Sequence, residues 1–215
     1  MIILSIKYLE HINYNYSKAI QFHKDLFSVF ELLYMRGFSQ FHIYQCTMET
    51  KIQEKLKKFA INMYHKILAE EYIKPFENID PKFLSINRMD IKSSETCNSI
   101  KYLWKLYRDY EAKNLELYES YAKQLNDKND VVAYDFIKNI AVNVSVELQH
   151  INNTIVAYNA MDWDLAQIVA EQDTIHERYL YLIREMYKNY NIGHHFNSLV
   201  DAESRVSVLD KYPDN

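Results

Sequence analysis

The chain has 215 residues and a net charge of −4, with 25 basic side chains scattered among 29 acidic ones, so no basic stripe offers a phosphate-binding footprint and nucleic acid is not expected as the main partner. Its 48% hydrophobic content suffices for one buried core, and only two glycines and three prolines leave too little turn punctuation for an all-β or α/β fold, so long helices with few connections are expected. Cys46 and Cys97 are too few and too far apart for a disulfide framework or a Cys-rich zinc site, which fits a cytoplasmic location.

The opening run Met1-Ile2-Ile3-Leu4-Ser5-Ile6 is apolar, but Lys7, Glu10 and His11 follow at once, so neither a signal peptide nor a membrane span is expected; residues 1–16 read as an N-terminal extension. Between Tyr16 and Ile73 there is one glycine and no proline. Phe27, Tyr34, Phe38 and Phe41 lie on one helical stripe that passes through Gly37, whereas Gln45-Cys46-Thr47-Met48-Glu49-Thr50 interrupts it and supplies threonine as an N-cap. The expected first two helices are therefore 17–45 and 49–73, with the turn at 46–49. Pro75 and Pro81 frame a polar segment over about 74–96, long enough to cross from one end of a bundle to the other.

From Ile100 to Leu125, Leu103, Trp104, Tyr107, Tyr110, Leu117, Tyr118 and Tyr121 recur every three or four residues, predicting a helix over 97–125. After the break Asn126-Asp127-Lys128-Asn129-Asp130, the series Phe136, Ile140, Val144, Ile151 and Ile155 predicts a fourth helix over 130–159, antiparallel to the third. A fifth helix is expected over 163–187, in a segment taken as 161–188, and 189–215 reads as a polar C-terminal tail. The 19 tyrosines, with abundant Ile, Asn and Lys, are attributed to composition rather than to radical transfer.

Charged residues on apolar stripes raise a chemical question. Glu31 falls between Phe27 and Tyr34, and Glu111 one turn after Tyr107, so both carboxylates are expected to face the core, where an unpaired carboxylate is costly and a metal is one common solution. Glu147 and His150 form the Glu-x-x-His spacing of di-iron carboxylate bundles, and Asn62 and His65 repeat it with an amide in place of the acid. Glu-x-x-His also arises by chance in helices rich in Glu, and a lone His65 can be an ordinary exposed histidine. The bundle order of the residues carries more than any pair does: an inward acid on the first and third helices, a histidine-bearing turn on the second and an acid on the fourth. His176 with Glu177, and His194 with His195, read as surface groups near or beyond the bundle end.

Over residues 17–187 these features resemble the ferritin family. Tyr107-Arg108-Asp109-Tyr110-Glu111, Asp127-Lys128-Asn129-Asp130 and Tyr134-Asp135-Phe136-Ile137 are similar to the third helix, short turn and fourth-helix start of ferritins. Met63-Tyr64-His65-Lys66-Ile67-Leu68 is similar to the end of their second helix, and Glu31-Leu32-Leu33 with Phe38 to the first. The resemblance implies an all-α fold: a ferritin-like four-helix bundle over 17–160 with a long crossover and a C-terminal fifth helix.

Carried over by position, Glu31 and His65 would serve one iron and Glu111 the second, with Glu147 as an additional iron-binding acid and His150 one turn further on. Asn62 occupies the bridging carboxylate position, Val144 a position where ferritins often have Gln or Glu, and Phe38 that of a common tyrosine. An amide bridges iron poorly, so a single ion per subunit and slow or absent oxidation are expected. The functional expectation is iron binding and storage or detoxification by a homo-oligomeric, hollow cage. The alternatives are a cage or scaffold that has lost iron chemistry and, against the missing basic arm, a mini-ferritin-like DNA protector.

Overall fold

The computed structural model describes residues 2–77, 79–80 and 93–190, and among these every regular element is a helix. α1 runs Ile2–Leu32, α2 Arg36–Tyr64, α3 Ser93–Asp127, α4 Val131–Ala160 and α5 Leu165–Tyr190. No helix among the described residues is long and apolar enough to cross a membrane.

The first helix break is not at 46–49 but at Leu33-Tyr34-Met35. Tyr34 adopts a left-handed conformation with φ 58°, and the amide of Met35 donates to the Phe30 carbonyl at 2.9 Å, closing the end of α1 without glycine. Thr47 and Thr50 do not cap a helix; each hydroxyl donates to the carbonyl four residues back, Ile43 and Cys46, at 2.9 Å, so both sit inside a continuous α2. The polarity that suggested a turn belongs instead to an inward face, since Cys46, Thr47, Glu49 and Gln53 are all buried. Gly37 serves packing: a Cβ there would lie 2.6 Å from the Gln172 carbonyl oxygen and 2.7 Å from Ile175 Cβ, so α5 rests directly on the α2 backbone.

Two other boundaries move. α1 takes in the residues assigned to an extension, burying Tyr8, Leu9, Ile12 and Tyr16. α2 ends at Tyr64, with His65 left-handed at φ 51° as its C-cap, not at 73. The α3–α4 turn agrees closely with the sequence: Asn129 takes φ 57°, and the Asp130 carboxylate accepts the Ala133 amide at 3.2 Å as N-cap of α4.

Ring contacts fix the helix directions. Tyr8 stacks on Tyr121 at 4.1 Å, Tyr16 lies 6.3 Å from Tyr118, and Phe22 stacks on Tyr110 at 4.5 Å, so α1 and α3 are antiparallel. Phe38 meets Trp104 at 5.4 Å and Tyr158 at 5.9 Å at one end, while Ser5 and Tyr64 hydrogen-bond Asp130 at the other. The order is therefore up, down, crossover, down, up. The described part of the crossover climbs beside α1, since Asn13 donates to the Ala69 carbonyl at 2.7 Å and the Phe76 amide to Asp25 at 2.8 Å. Residues 81–92 of the expected crossing segment, and 191–215 of the expected tail, lie outside the described residues.

The helix interior contains two large apolar clusters. The upper one joins Phe22, Phe30, Phe38, Trp104 and Ile155 with Ile168 of α5; the lower joins Leu9, Ile12, Leu56, Leu125, Ile137 and Val144. Between them lies a polar layer, and the candidate site is in it.

A candidate metal centre between two apolar cores

Each helix from α1 to α4 brings a polar side chain to this layer. His23 follows Phe22 on the buried face of α1, and His42 and Glu49 lie two turns apart on the buried stripe of α2 that continues through Gln53, Leu56 and Ala60. Tyr107 and Glu111 are buried one turn apart on α3, and Glu147 comes from α4. One donor atom from each of His23, Glu111 and Glu147 lies within 4.8 Å of the other two, a set that could hold a metal ion.

The hydrogen bonding leaves this set partly unsatisfied. Tyr107 donates its hydroxyl to Glu147 Oε1, and Asn114 reaches Glu111 Oε2 at 3.5 Å. His23 Nδ1 lies 3.0 Å from His42 Nδ1. His23 Nε2 and Glu111 Oε1, both buried, have no hydrogen-bond partner among the described residues. Two buried polar atoms without partners, on residues that converge, are what a cation would satisfy once both present lone pairs.

Burial dominates the electrostatics. It pushes the Glu49 carboxyl well up, with the Glu147 charge adding to the rise. Glu111 is raised by burial, then by Glu147 and Glu49, against a weaker opposing bond from Asn114. Glu147 is raised by burial, opposed by the Tyr107 hydroxyl. Burial lowers His23 to about 3 and holds His42 well below its ordinary value, with His23 reinforcing the latter. Without a cation, then, this layer favours neutral imidazoles and retained carboxyl protons. A divalent ion would reverse the balance by stabilising the carboxylates, so its binding would release protons.

The residues expected from sequence divide sharply. Glu111 and Glu147 are in the cluster, and Glu31 and His65 are not. Glu31 accepts a hydrogen bond from Ser39 beside the α1–α2 turn, and His65 is exposed at the far end of α2, whose 29 residues span roughly 40 Å. Asn62 is exposed on the last turn of α2. His150 turns toward α5, with its ring 6.0 Å from Phe41 and its basicity lowered by burial and then by Arg178.

The stripe that carried Glu31 is lateral rather than central: Phe27 packs with Ile43 and Ile183, and Tyr34 is 62% exposed. The central face of α1 is Ala19, Phe22, His23, Leu26 and Phe30. The signal for His23 and Glu49 was present in the three-to-four spacing of these buried stripes.

A groove of about 340 Å³ lies outside the layer, between α1, α2 and residues 70–75, and its lining mixes Lys24 and Lys57 with Glu54, Glu70 and Glu71. It brings together no comparable donor set. No family model, no curated protein and no solved structure matches this chain.

Proposed function

We propose that the polar layer is a metal centre and that the chain is an iron-binding protein of ferritin-like type, its first four helices forming a four-helix bundle around one ion. The observation that carries this reading is the convergence of His23, Glu111 and Glu147 with two buried donor atoms left without partners. One imidazole and two or three carboxylates suit Fe²⁺ and Mn²⁺ as well as Zn²⁺, and iron is preferred on the ferritin resemblance. Glu49 is the further acid of the layer, coupled electrostatically to both Glu111 and Glu147.

The ion would be held by His23, Glu111 and Glu147, where it would supply Lewis acidity and, as iron, a one-electron couple. The chain's own contribution is to exclude water with the two apolar clusters and to hold Glu147 through the Tyr107 hydroxyl. Slow or absent ferrous oxidation is part of the proposal, since the three converging donors define a place for one ion rather than for a pair sharing a bridging carboxylate. Assembly into a closed homo-oligomer, with retained iron inside a cage, is proposed with it. α4 supports that reading: Val142, Val146 and Val156 are 51–66% exposed, on a face with little charge.

The test is anaerobic ferrous titration of the purified protein, followed by oxygen and measurement of retained iron. About one ion per chain, lost in Glu111→Gln and Glu147→Gln, is expected; wild-type protein that binds no ferrous ion at micromolar concentration overturns the reading. A second reading, a scaffold without metal chemistry, is favoured by the raised carboxyl groups, which can keep their protons and satisfy part of the layer through Tyr107 and Asn114.

A further inference from the structure

We propose that His42 is a positioning residue for the metal centre, fixing His23 in the tautomer that carries its proton on Nδ1 and so presents a bare Nε2 to Glu111 and Glu147. The proposal rests on the metal-centre reading above, but its central observable exists in the metal-free protein.

Both rings are buried, His23 fully and His42 to 1% exposure, and their Nδ1 atoms are 3.0 Å apart. Two nitrogens at that distance share one hydrogen, so one ring donates and the other accepts. If His42 donated, His23 would have to carry its own proton on Nε2, leaving a buried N–H with no acceptor in bonding geometry. An orphaned buried donor is the rarer and costlier defect, whereas a bare lone pair is what a ligand requires, and His23 belongs to the donor set with Glu111 and Glu147. The arrangement with His23 as donor therefore accounts for both the short contact and the unpartnered Nε2. In it, His42 accepts through Nδ1 and carries its proton on Nε2, which, unlike His23 Nε2, is not among the fully buried polar atoms left without a partner.

The packing holds His42 in this role. Its ring stacks on Phe30 at 5.3 Å with an interplanar angle of 7°, and Phe41 and Tyr107 meet it edge-on at 5.0 and 5.2 Å. Tyr107 also meets His23 edge-on at 5.1 Å while bonding Glu147, so one side chain braces both imidazoles and one carboxylate. Metal-bound histidines generally donate their second nitrogen to a carboxylate or carbonyl; here a second imidazole takes that place.

The experiment compares wild type with His42→Phe, which keeps a ring without an acceptor, and His42→Gln, whose amide oxygen can accept from His23 Nδ1. Nitrogen-15 spectra of the metal-free proteins should place the His23 proton on Nδ1 in wild type and in His42→Gln, and show an Nε2–H or mixed tautomer in His42→Phe. Co²⁺ titration should give a roughly 10- to 100-fold weaker dissociation constant for His42→Phe, with His42→Gln recovering most of the loss. An Nε2–H tautomer in wild type, or loss of Co²⁺ affinity in His42→Phe with the tautomer unchanged, overturns the proposal. If wild type binds no Co²⁺ yet shows the Nδ1–H tautomer, the metal-centre reading fails while the His42–His23 pairing stands. If His42→Phe does not fold, the wild-type spectrum alone decides.

Discussion

Glu111→Gln separates a metal centre from a merely buried acid. In the metal-free protein Glu111 is pushed well above its ordinary value of 4.5 by burial and by two neighbouring acids, so its contribution is whole below pH 4.5 and is lost as the pH rises toward its folded value. The loss grows by about 1.36 kcal/mol per pH unit while the native carboxyl stays protonated and the unfolded one does not. At pH 7 it is therefore capped at about 3 kcal/mol. Glutamine has no charge to desolvate and its amide oxygen can still accept from Asn114, so metal-free Glu111→Gln should be more stable than wild type at pH 7, by up to that amount, and near parity at pH 4.5.

For a chain of this length, such a gain corresponds to a rise of roughly 6–12 °C in melting temperature. The sign should reverse with metal present. At 1,000 times its dissociation constant an ion adds about 4.1 kcal/mol to wild type, more than the largest gain of the variant, which forfeits that contribution. Thermal melts at pH 4.5 and 7, each with chelator and with excess Mn²⁺, give the four comparisons. A variant offset that is the same at both pH values, and the same with and without metal, would refute the reasoning.

Gly37→Ala places a Cβ against the Gln172 carbonyl, a backbone atom that cannot swing aside, so overpacking of about 1–3 kcal/mol should exceed the gain of up to about 1 kcal/mol in helix propensity. Its melting temperature should fall by a few degrees, and an unchanged melt would contradict the close approach of α2 and α5. Glu49→Gln should weaken ferrous binding about tenfold or more, whereas His65→Ala and Asn62→Glu, both at exposed positions, should leave stoichiometry unchanged; the opposite ranking would restore the sequence-derived ligand set. Because burial lowers His23 from 6.5 to about 3, the metal-free protein should lose roughly 5 kcal/mol of stability from this group as the pH falls through that window. Urea melts between pH 3 and 7 should show a flatter acid limb for His23→Leu, and parallel limbs would exclude the effect.

Periodicity made the helices α3, α4 and α5 readable to within a few residues, along with the Asn129-Asp130 turn, because local spacing and a capping acid act within a few residues of the chain. Glu111 and Glu147 were readable for the same reason, as acids next to buried aromatic or aliphatic side chains one turn away. The α1–α2 turn was hidden because Tyr34 supplies the left-handed residue that glycine usually marks, while the glycine nearby is consumed by contact with α5, a helix more than 120 residues later in the chain. Which stripe of α1 faces inward was likewise a tertiary decision. Phe27, Glu31 and Tyr34 have a periodicity as good as that of Phe22, His23, Leu26 and Phe30, and only the position of α5 beside α2 assigns the first to the flank and the second to the centre. The same placement turns Gln45–Thr50 from an apparent break into the inward polar face of α2, because a buried acid is tolerable only where the other helices bring donors, protons or a cation to meet it.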